Sequence, residues 1–281
     1  MGGATIGILL YIAITTFIFN DSQDILTKIF ALLSVLFISS LIGLIDDFFG
    51  WRKGGLSIKS RLILMIFAAI PLMVINAGSS IVNLPIVGIL NLGILYPLLL
   101  IPIGVVGATT TYNFIAGYNG LEAGQGIIIL TAMSIVTYLT GNAWLTVVTL
   151  CMVASLAAFY IFNKYPAKVF PGDVLTYSVG ALIAGVAILG NMEKIAILFF
   201  IPYIIEFFLK LRGGFKKASF GRLNKDGSLE IPYKKIYGLE HLAIKLLKKI
   251  KSSKKAYERE VVYLIHGFQI LIILLVFLTY F

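Results

Sequence analysis

The stretch SLIGLIDDFFGWRKGGLSIKSRL, Ser40–Leu62, decides how this chain is read. An apolar run ends in two adjacent carboxylates, Asp46 and Asp47, a basic glycine-rich loop follows, and a second apolar run begins. With 59% hydrophobic residues, 13% charged and a mean hydropathy of +0.98, the chain is far more apolar than a water-soluble domain. Apolar runs of about 17–25 residues match the thickness of a bilayer. Nine spans are expected, over residues 3–20, 25–45, 61–77, 93–111, 124–140, 144–162, 174–190, 195–211 and 261–281. Backbone groups in lipid must find partners within the chain, and no alternating ten-residue segments are present. The expected fold is therefore all-α, a polytopic helical membrane protein and not a barrel. A single cysteine, Cys151, lies within a span and reads as a packing residue, so no intrachain disulfide is expected.

Charge gives the orientation. If the connections alternate sides, residues 46–61, 112–123, 163–173 and 210–260 share one face and carry 21 of the 23 Lys and Arg residues, whereas Lys28 and Lys194 lie on the other. The basic face should be cytoplasmic. The net charge of +10 then follows from topology and from anionic head groups, and no nucleic acid partner is expected. The chain reads as one membrane domain, residues 1–281, with a polar insertion at 210–260 before the last span. Within it, RLNKDGSLEIPY suggests a small hairpin about an Asp-Gly turn. LEHLAIKLLKKI, Leu239–Ile250, reads as an amphipathic basic helix, packed either on the leaflet or on the protein.

Every polar, glycine-rich cluster falls on the basic face. The groups gathered there are Asp46, Asp47, Asn113, Asn119, Glu122 and Asp173, with neither histidine nearby in sequence. Carboxylate and amide oxygens suit Mg²⁺ better than zinc, with Mn²⁺ as its substitute, and Mg²⁺ keeps waters and phosphate oxygens as further ligands. Each residue also has a structural reading. Asp173 follows Pro-Gly and could cap a helix. Asp46 and Asp47, read at the end of a helix where the macrodipole disfavours negative charge, call for a cation or a lysine unless they are simply solvated. Lys59 and Arg61 are candidates for that role, or else markers of the cytoplasmic side. Trp51 and Tyr112 read as interface aromatics. Gly117, Gly120 and Gly124 would let a backbone approach a phosphate ligand. No Walker loop or dinucleotide fingerprint is present.

Three clusters, DDFFGWRKGGLSIKSRL, NFIAGYNGLEAGQG and AKVFPGDVLTYSVG, together resemble the polyprenyl-phosphate N-acetylhexosamine-1-phosphate transferase superfamily. NFIAGYNGLEAGQ and RLNKDGSLEIPYKK resemble its dolichyl-phosphate GlcNAc-1-phosphotransferase branch, in an archaeal-type form. The resemblance implies ten spans against the nine read here, the first of the ten being the one expected before MGGATIGILL. It implies transfer of a sugar-1-phosphate, here GlcNAc-1-phosphate, from a UDP-sugar to polyprenyl or dolichyl phosphate with release of UMP. That reaction is the first step of lipid-linked oligosaccharide assembly at the cytoplasmic face of the cell membrane.

By matching motifs, Asn113 and Asp173 would hold Mg²⁺, and Phe170 would stack on uracil. Gly117, Asn119 and Glu122 would line the nucleotide pocket, while Asp46, Asp47 and Lys59 would meet the lipid phosphate. Relatives carry a basic-His-basic cluster before RLN. Here FKKASFGRLN offers Lys216, Lys217 and Arg222, and Arg222 is taken as the substrate contact. A homodimer is the expected assembly. The same chemistry on another UDP-N-acetylhexosamine for a cell-envelope glycan is one alternative. An ion-coupled transporter is the other, for which Glu206, inside the eighth run, is the one fitting residue.

Overall fold

In the computed structural model, residues 2–17 and 23–281 are described, with the side chains of residues 16, 17, 23 and 51–53 excepted. The end of the first expected span and the side chain of Trp51 lie outside this set. Helices occupy the apolar runs: α1 Gly2–Phe17, α2 Gln23–Lys53, α3 Ile58–Val74, α4 Ile101–Tyr112, α5 Leu121–Leu139, α6 Ala143–Asn163, α7 Asp173–Leu189, α8 Glu193–Phe199, α9 Ile201–Arg212, α10 Leu239–Ile250 and α11 Glu258–Tyr280. A π-helical turn, Tyr96–Leu100, runs directly into α4. Among the described residues, four helical stretches are long and apolar enough to cross a membrane, at Asp24–Gly50, Leu121–Leu139, Ala143–Asn163 and Glu258–Tyr280. Gly2–Thr15, Tyr96–Tyr112 and Asp173–Leu189 are shorter apolar helices.

The all-α expectation is modified by two small antiparallel sheets. β1 (Ile81–Leu84) pairs with β2 (Gly88–Asn91) in a hairpin that the span pattern left as a connection. β3 (Arg222–Leu223) pairs with β4 (Leu229–Glu230) across the Asp-Gly turn, as the sequence suggests.

Helix α7 is the centre of the bundle and is buried along almost its whole length. Small residues allow its neighbours to approach. A Cβ added to Gly43 of α2 would lie 2.5 Å from the Asp173 carbonyl, and one on Gly180 would lie 2.7 Å from Thr109 Cα of α4. Close backbone approach of this kind strengthens dispersion between helices that gain no hydrophobic driving force from lipid. It also brings the C-terminal parts of α2 and α4 and the N-terminus of α7 within side-chain reach of one another. The eighth run breaks at Phe200, ahead of Pro202, into α8 and α9. Gln269 of α11 donates to the Phe199 carbonyl at 2.9 Å, satisfying an acceptor at that break.

One boundary differs in a way that matters. The second span is read as ending at residue 45, yet α2 continues to Lys53. The carboxylates at 46 and 47 therefore project from inside the helix, about two turns before its end, where the terminal dipole is weak. The second difference concerns Tyr112. It is not an interface aromatic: it is fully buried, stacked on Tyr203 with ring centroids 5.3 Å apart, and donates to the Glu122 carbonyl at 2.6 Å.

Candidate active site

Adjacent residues on a helix point about 100° apart, and Asp46 and Asp47 use that angle to reach different elements. Asp46 is buried. Its Oδ1 accepts from the Leu56 N–H at 2.7 Å and from Arg61 Nη2 at 3.2 Å. Its Oδ2 accepts from the Tyr177 hydroxyl at 3.0 Å and lies 2.6 Å from Arg61 Nε. The counterion of Asp46 is thus Arg61, whereas Lys59 stands exposed in the first turn of α3. The spacing explains this outcome: Ser57 caps α3 through the Ser60 N–H, and Arg61, one turn into that helix, is carried back towards α2.

Asp47 reaches α7. Its Oδ1 accepts from the Asp173 N–H at 2.9 Å and its Oδ2 from the Val174 N–H at 3.3 Å. A carboxylate from another helix therefore caps the N-terminus of α7, where backbone donors and the positive dipole end favour an anion. Gly172 leaves the room for it, since a Cβ there would lie 2.0 Å from Asp47 Oδ2.

Asp173 does not cap its own helix. Its Oδ1 accepts from Asn113 Nδ2 at 3.0 Å, and its carboxylate lies in the field of Asp46, Asp47 and Arg61. Asp46, Asp47, Asn113 and Asp173, four residues from three sequence clusters, are consequently one constellation. Arg61 neutralises Asp46 directly, while Asp47 accepts from the backbone amides of α7 and Asp173 accepts from the Asn113 amide beside the Asp46 carboxyl. That excess of negative charge, with oxygen donors throughout, fits a hard divalent cation. No group of three or more His, Cys, Asp or Glu among the described residues is arranged to hold a metal by protein ligands alone.

The remaining predicted residues fall into two sets. Asn119 is engaged wholly with protein: its N–H donates to Glu258 Oε1 at 2.7 Å, its Nδ2 donates to the same oxygen, and its Oδ1 accepts from the Ala167 N–H at 2.7 Å. One amide thus ties the α4–α5 loop, the α6–α7 loop and the start of α11. Glu122 is buried and accepts from the Gly117 N–H through Oε1, while its Oε2 has no partner. Phe170 is exposed on the α6–α7 loop, just before the Pro171-Gly172 entry to α7, and lines a cavity of about 210 Å³ with Ser155 and Phe159. Arg222 is exposed on β3.

The glycines of the α4–α5 loop and of the first turn of α5 make room for side chains of this protein. Gly117, at φ +105°, would place a Cβ 2.4 Å from the Phe220 ring. Gly124 would place one 2.4 Å from His266, whose Nε2 lies 3.2 Å from the Leu121 carbonyl. Gly120 lies against Tyr160.

Phe220 belongs to FKKASFGRLN, so the insertion is docked on the α4–α5 loop. Tyr118 accepts the Gly221 N–H at 2.8 Å, and burial pushes the Tyr118 hydroxyl up to about 12. Glu206 anchors the other side. Its Oε1 accepts from Ser219 at 3.2 Å and its Oε2 from the Leu239 N–H at 2.6 Å, at the N-terminus of α10. Glu206 is accordingly a buried cap for the insertion. His241 completes the clasp: its Nδ1 accepts from the Tyr237 N–H at 3.3 Å, and its Nε2 faces the Phe220 carbonyl at 3.3 Å. Burial lowers the pKa of His241, favouring the neutral ring that this pattern requires. Tyr177, Glu258, Phe220 and His241 escape a reading of local motifs because each acts across more than a hundred residues or from outside any polar cluster.

An apolar cleft of about 300 Å³ runs between α4, α7 and α8–α9, from Thr111 at the end of α4 to Glu193 at the start of α8. Its Thr111 end is two residues from Asn113.

Residues 29–191 match the model of glycosyl transferase family 4. A Saccharolobus solfataricus protein provisionally named UDP-N-acetylglucosamine–dolichyl-phosphate N-acetylglucosaminephosphotransferase is 40% identical over 222 residues, covering 76% of this chain and 65% of the relative. A Sulfolobus acidocaldarius protein with the same provisional name is 33% identical over 259 residues, covering 92% and 75%. The Schizosaccharomyces pombe enzyme of that name is 30% identical over 262 residues, covering 81% and 57%. The chain thus spans about two thirds of the length of the first of these.

Proposed function

The chain belongs to glycosyl transferase family 4, and from that premise we propose that it transfers GlcNAc-1-phosphate from UDP-GlcNAc to a polyprenyl or dolichyl phosphate at the cytoplasmic face of the cell membrane. The observation that carries the reading is the meeting of Asp46, Asp47, Asn113 and Asp173 at the joined ends of α2, α4 and α7. Asp173, with Asn113 turned to offer its Oδ1, would hold Mg²⁺. The ion would supply charge neutralisation for the pyrophosphate of the donor.

The chain's own residues account for the rest. An oxygen of the lipid phosphate attacks the β-phosphorus of the UDP-sugar, a P–O bond forms there, and the bond to the bridging oxygen breaks, releasing UMP. Positioning dominates such a displacement. Arg61, Leu56 and Tyr177 orient Asp46, and the α7 N-terminus orients Asp47, contacts that favour positioning groups over a covalent nucleophile at the β-phosphorus. Their role is to orient the incoming phosphate and accept its proton. Phe170 is free to stack on the base. Lys216, Lys217 and Arg222 ride on the docked insertion, where they can meet the sugar phosphate or the sugar. The cleft between α4, α7 and α8–α9 offers an apolar path for the lipid chain beside the reacting head. The full count of spans, the cytoplasmic orientation and a homodimeric assembly belong to this proposal too.

The transporter reading has lost its residue, because Glu206 is committed to Ser219 and α10. The test is direct. Purified full chain supplied with Mg²⁺, a polyprenyl phosphate and a panel of UDP-sugars should release UMP, most rapidly with UDP-GlcNAc. No UMP from any donor would overturn the enzymatic assignment, and preference for another UDP-N-acetylhexosamine would move it to a cell-envelope glycan.

A further inference from the structure

Helices α10 and α11 meet along a second apolar groove, remote from the aspartates and unused by the proposed chemistry. It has a volume of about 410 Å³ and is lined from α10 by Leu242 and Leu246 and from α11 by Tyr263, Gly267 and Leu271. Gly267, which lines it, stands in the middle of the 23-residue α11, a position where glycine weakens a helix relative to alanine. Nothing packs against that position: a Cβ on Gly267 would meet no atom within 4 Å. The glycine therefore accommodates no neighbouring side chain, unlike Gly117 or Gly124.

The groove has a charged rim. Lys245 and Lys249 each follow a groove leucine by three residues, so they border the apolar line on the face of α10, and both are exposed. On the α11 side Arg259 lies over the Tyr263 ring at 5.3 Å and donates to its hydroxyl at 2.9 Å. Lys248 and Lys251, by contrast, are paired with Glu230 and Glu260. Lys245 and Lys249, for which no carboxylate partner is found among the described residues, thus flank the groove on α10 and Arg259 flanks it on α11 through Tyr263, and Ile250, 76% exposed, prolongs its apolar line. An amphiphile with an anionic head matches both parts, and an amphipathic helix at a membrane boundary is where such a molecule is met.

We propose that the α10–α11 groove is a binding site for an anionic phospholipid. One acyl chain lies over Gly267, and the phosphate head is held by Lys245, Lys249 and Arg259. The site would couple the insertion to the bilayer, because α10 carries His241 and is capped by Glu206.

The full chain reconstituted in phosphatidylcholine vesicles, with or without phosphatidylglycerol, supplies the test. Lipid retained after transfer to detergent is measured by native mass spectrometry. Wild-type protein should keep phosphatidylglycerol in preference to phosphatidylcholine. Lys245→Gln and Lys249→Gln should each reduce that preference roughly fivefold. Gly267→Leu, which fills open space, should abolish retention of both lipids while the protein stays monodisperse. Lys234→Gln, away from the groove, serves as the control and should change nothing. Equal retention of the two lipids by wild type would overturn the proposal, as would unchanged preference in the lysine variants. Displacement of phosphatidylglycerol by farnesyl phosphate would reassign the groove to the lipid substrate. Loss of a dimer, with no retained lipid, in Gly267→Leu would reassign it to a second copy.

Discussion

The pair formed by Asp46 and Arg61 separates scaffold from chemistry if it is removed in both single and double variants. Arg61→Gln leaves a buried carboxylate with one N–H donor, from Leu56, and one hydroxyl, from Tyr177. Breaking a buried ion pair by removing one partner costs about 3–5 kcal/mol. The Asp46 side chain is 1% exposed but that of Arg61 is 32% exposed, so the arginine end keeps part of its hydration and the cost falls to about 2–3 kcal/mol. Asp46→Asn should cost a similar amount, because its amide would face the guanidinium.

In Asp46→Asn/Arg61→Gln no charge is stranded, and the double variant should be more stable than the sum of the single changes by about 1–2 kcal/mol. The assay is the thermal midpoint in detergent alongside UMP release. Turnover should be lost in Asp46→Asn and remain lost in the double variant, since neutralising the scaffold does not restore a carboxylate at the phosphate. Stability losses that simply add would refute the pairing. Recovered turnover in the double variant would refute a direct role for Asp46.

Three other outcomes are expected. Gly117→Ala imposes a side chain at φ +105° and 2.4 Å from Phe220, a strain of about 1–3 kcal/mol, so the insertion should undock and limited proteolysis near Lys216 and Lys217 should quicken. His241 has a lowered pKa in the folded chain, so the unfolded chain binds more protons below 6.5; its stabilising contribution is present above that pH and is lost as the medium acidifies, which hydrogen exchange across residues 213–241 should register and His241→Gln should flatten. Chelation with EDTA should stop UMP release, Mg²⁺ or Mn²⁺ should restore it, and Asp173→Asn should raise the Mg²⁺ concentration needed for half-maximal rate.

Much of the architecture was legible in hydropathy, because a bilayer demands long apolar helices and punctuates them with charge. The same pattern identified the face on which Asp46, Asn113 and Asp173 meet, since parity of crossings requires no knowledge of packing. What it could not supply were contacts across the bundle. The choice of Arg61 over Lys59 depends on the cap at Ser57 and the phase of α3. Gly117 and Gly124 looked like room for a ligand, yet they receive Phe220 and His266, because a glycine announces space without naming its occupant. The extension of α2 to Lys53 was hidden as well: GWRKGG reads as a polar, glycine-rich loop, yet the helix runs up to the paired glycines Gly54 and Gly55, both at positive φ.

The two aspartates pose an electrostatic problem that each solves separately. As neighbours they repel, and a shared lysine or a metal is the economical remedy on paper. In the bundle, the 100° between them sends one carboxylate to a guanidinium and the other to the amides of α7. The burden of negative charge is thereby moved from positions 46 and 47 towards Asp173, whose side chain meets Asn113 and the Asp46 carboxyl while its own backbone serves Asp47. Under the proposed function, a divalent cation would meet a carboxylate already oriented through the contacts of Asp47 with the first turn of α7. On this view, Asp47 matters to the metal without touching it: its two hydrogen bonds set the first turn of α7 and hence the direction of Asp173.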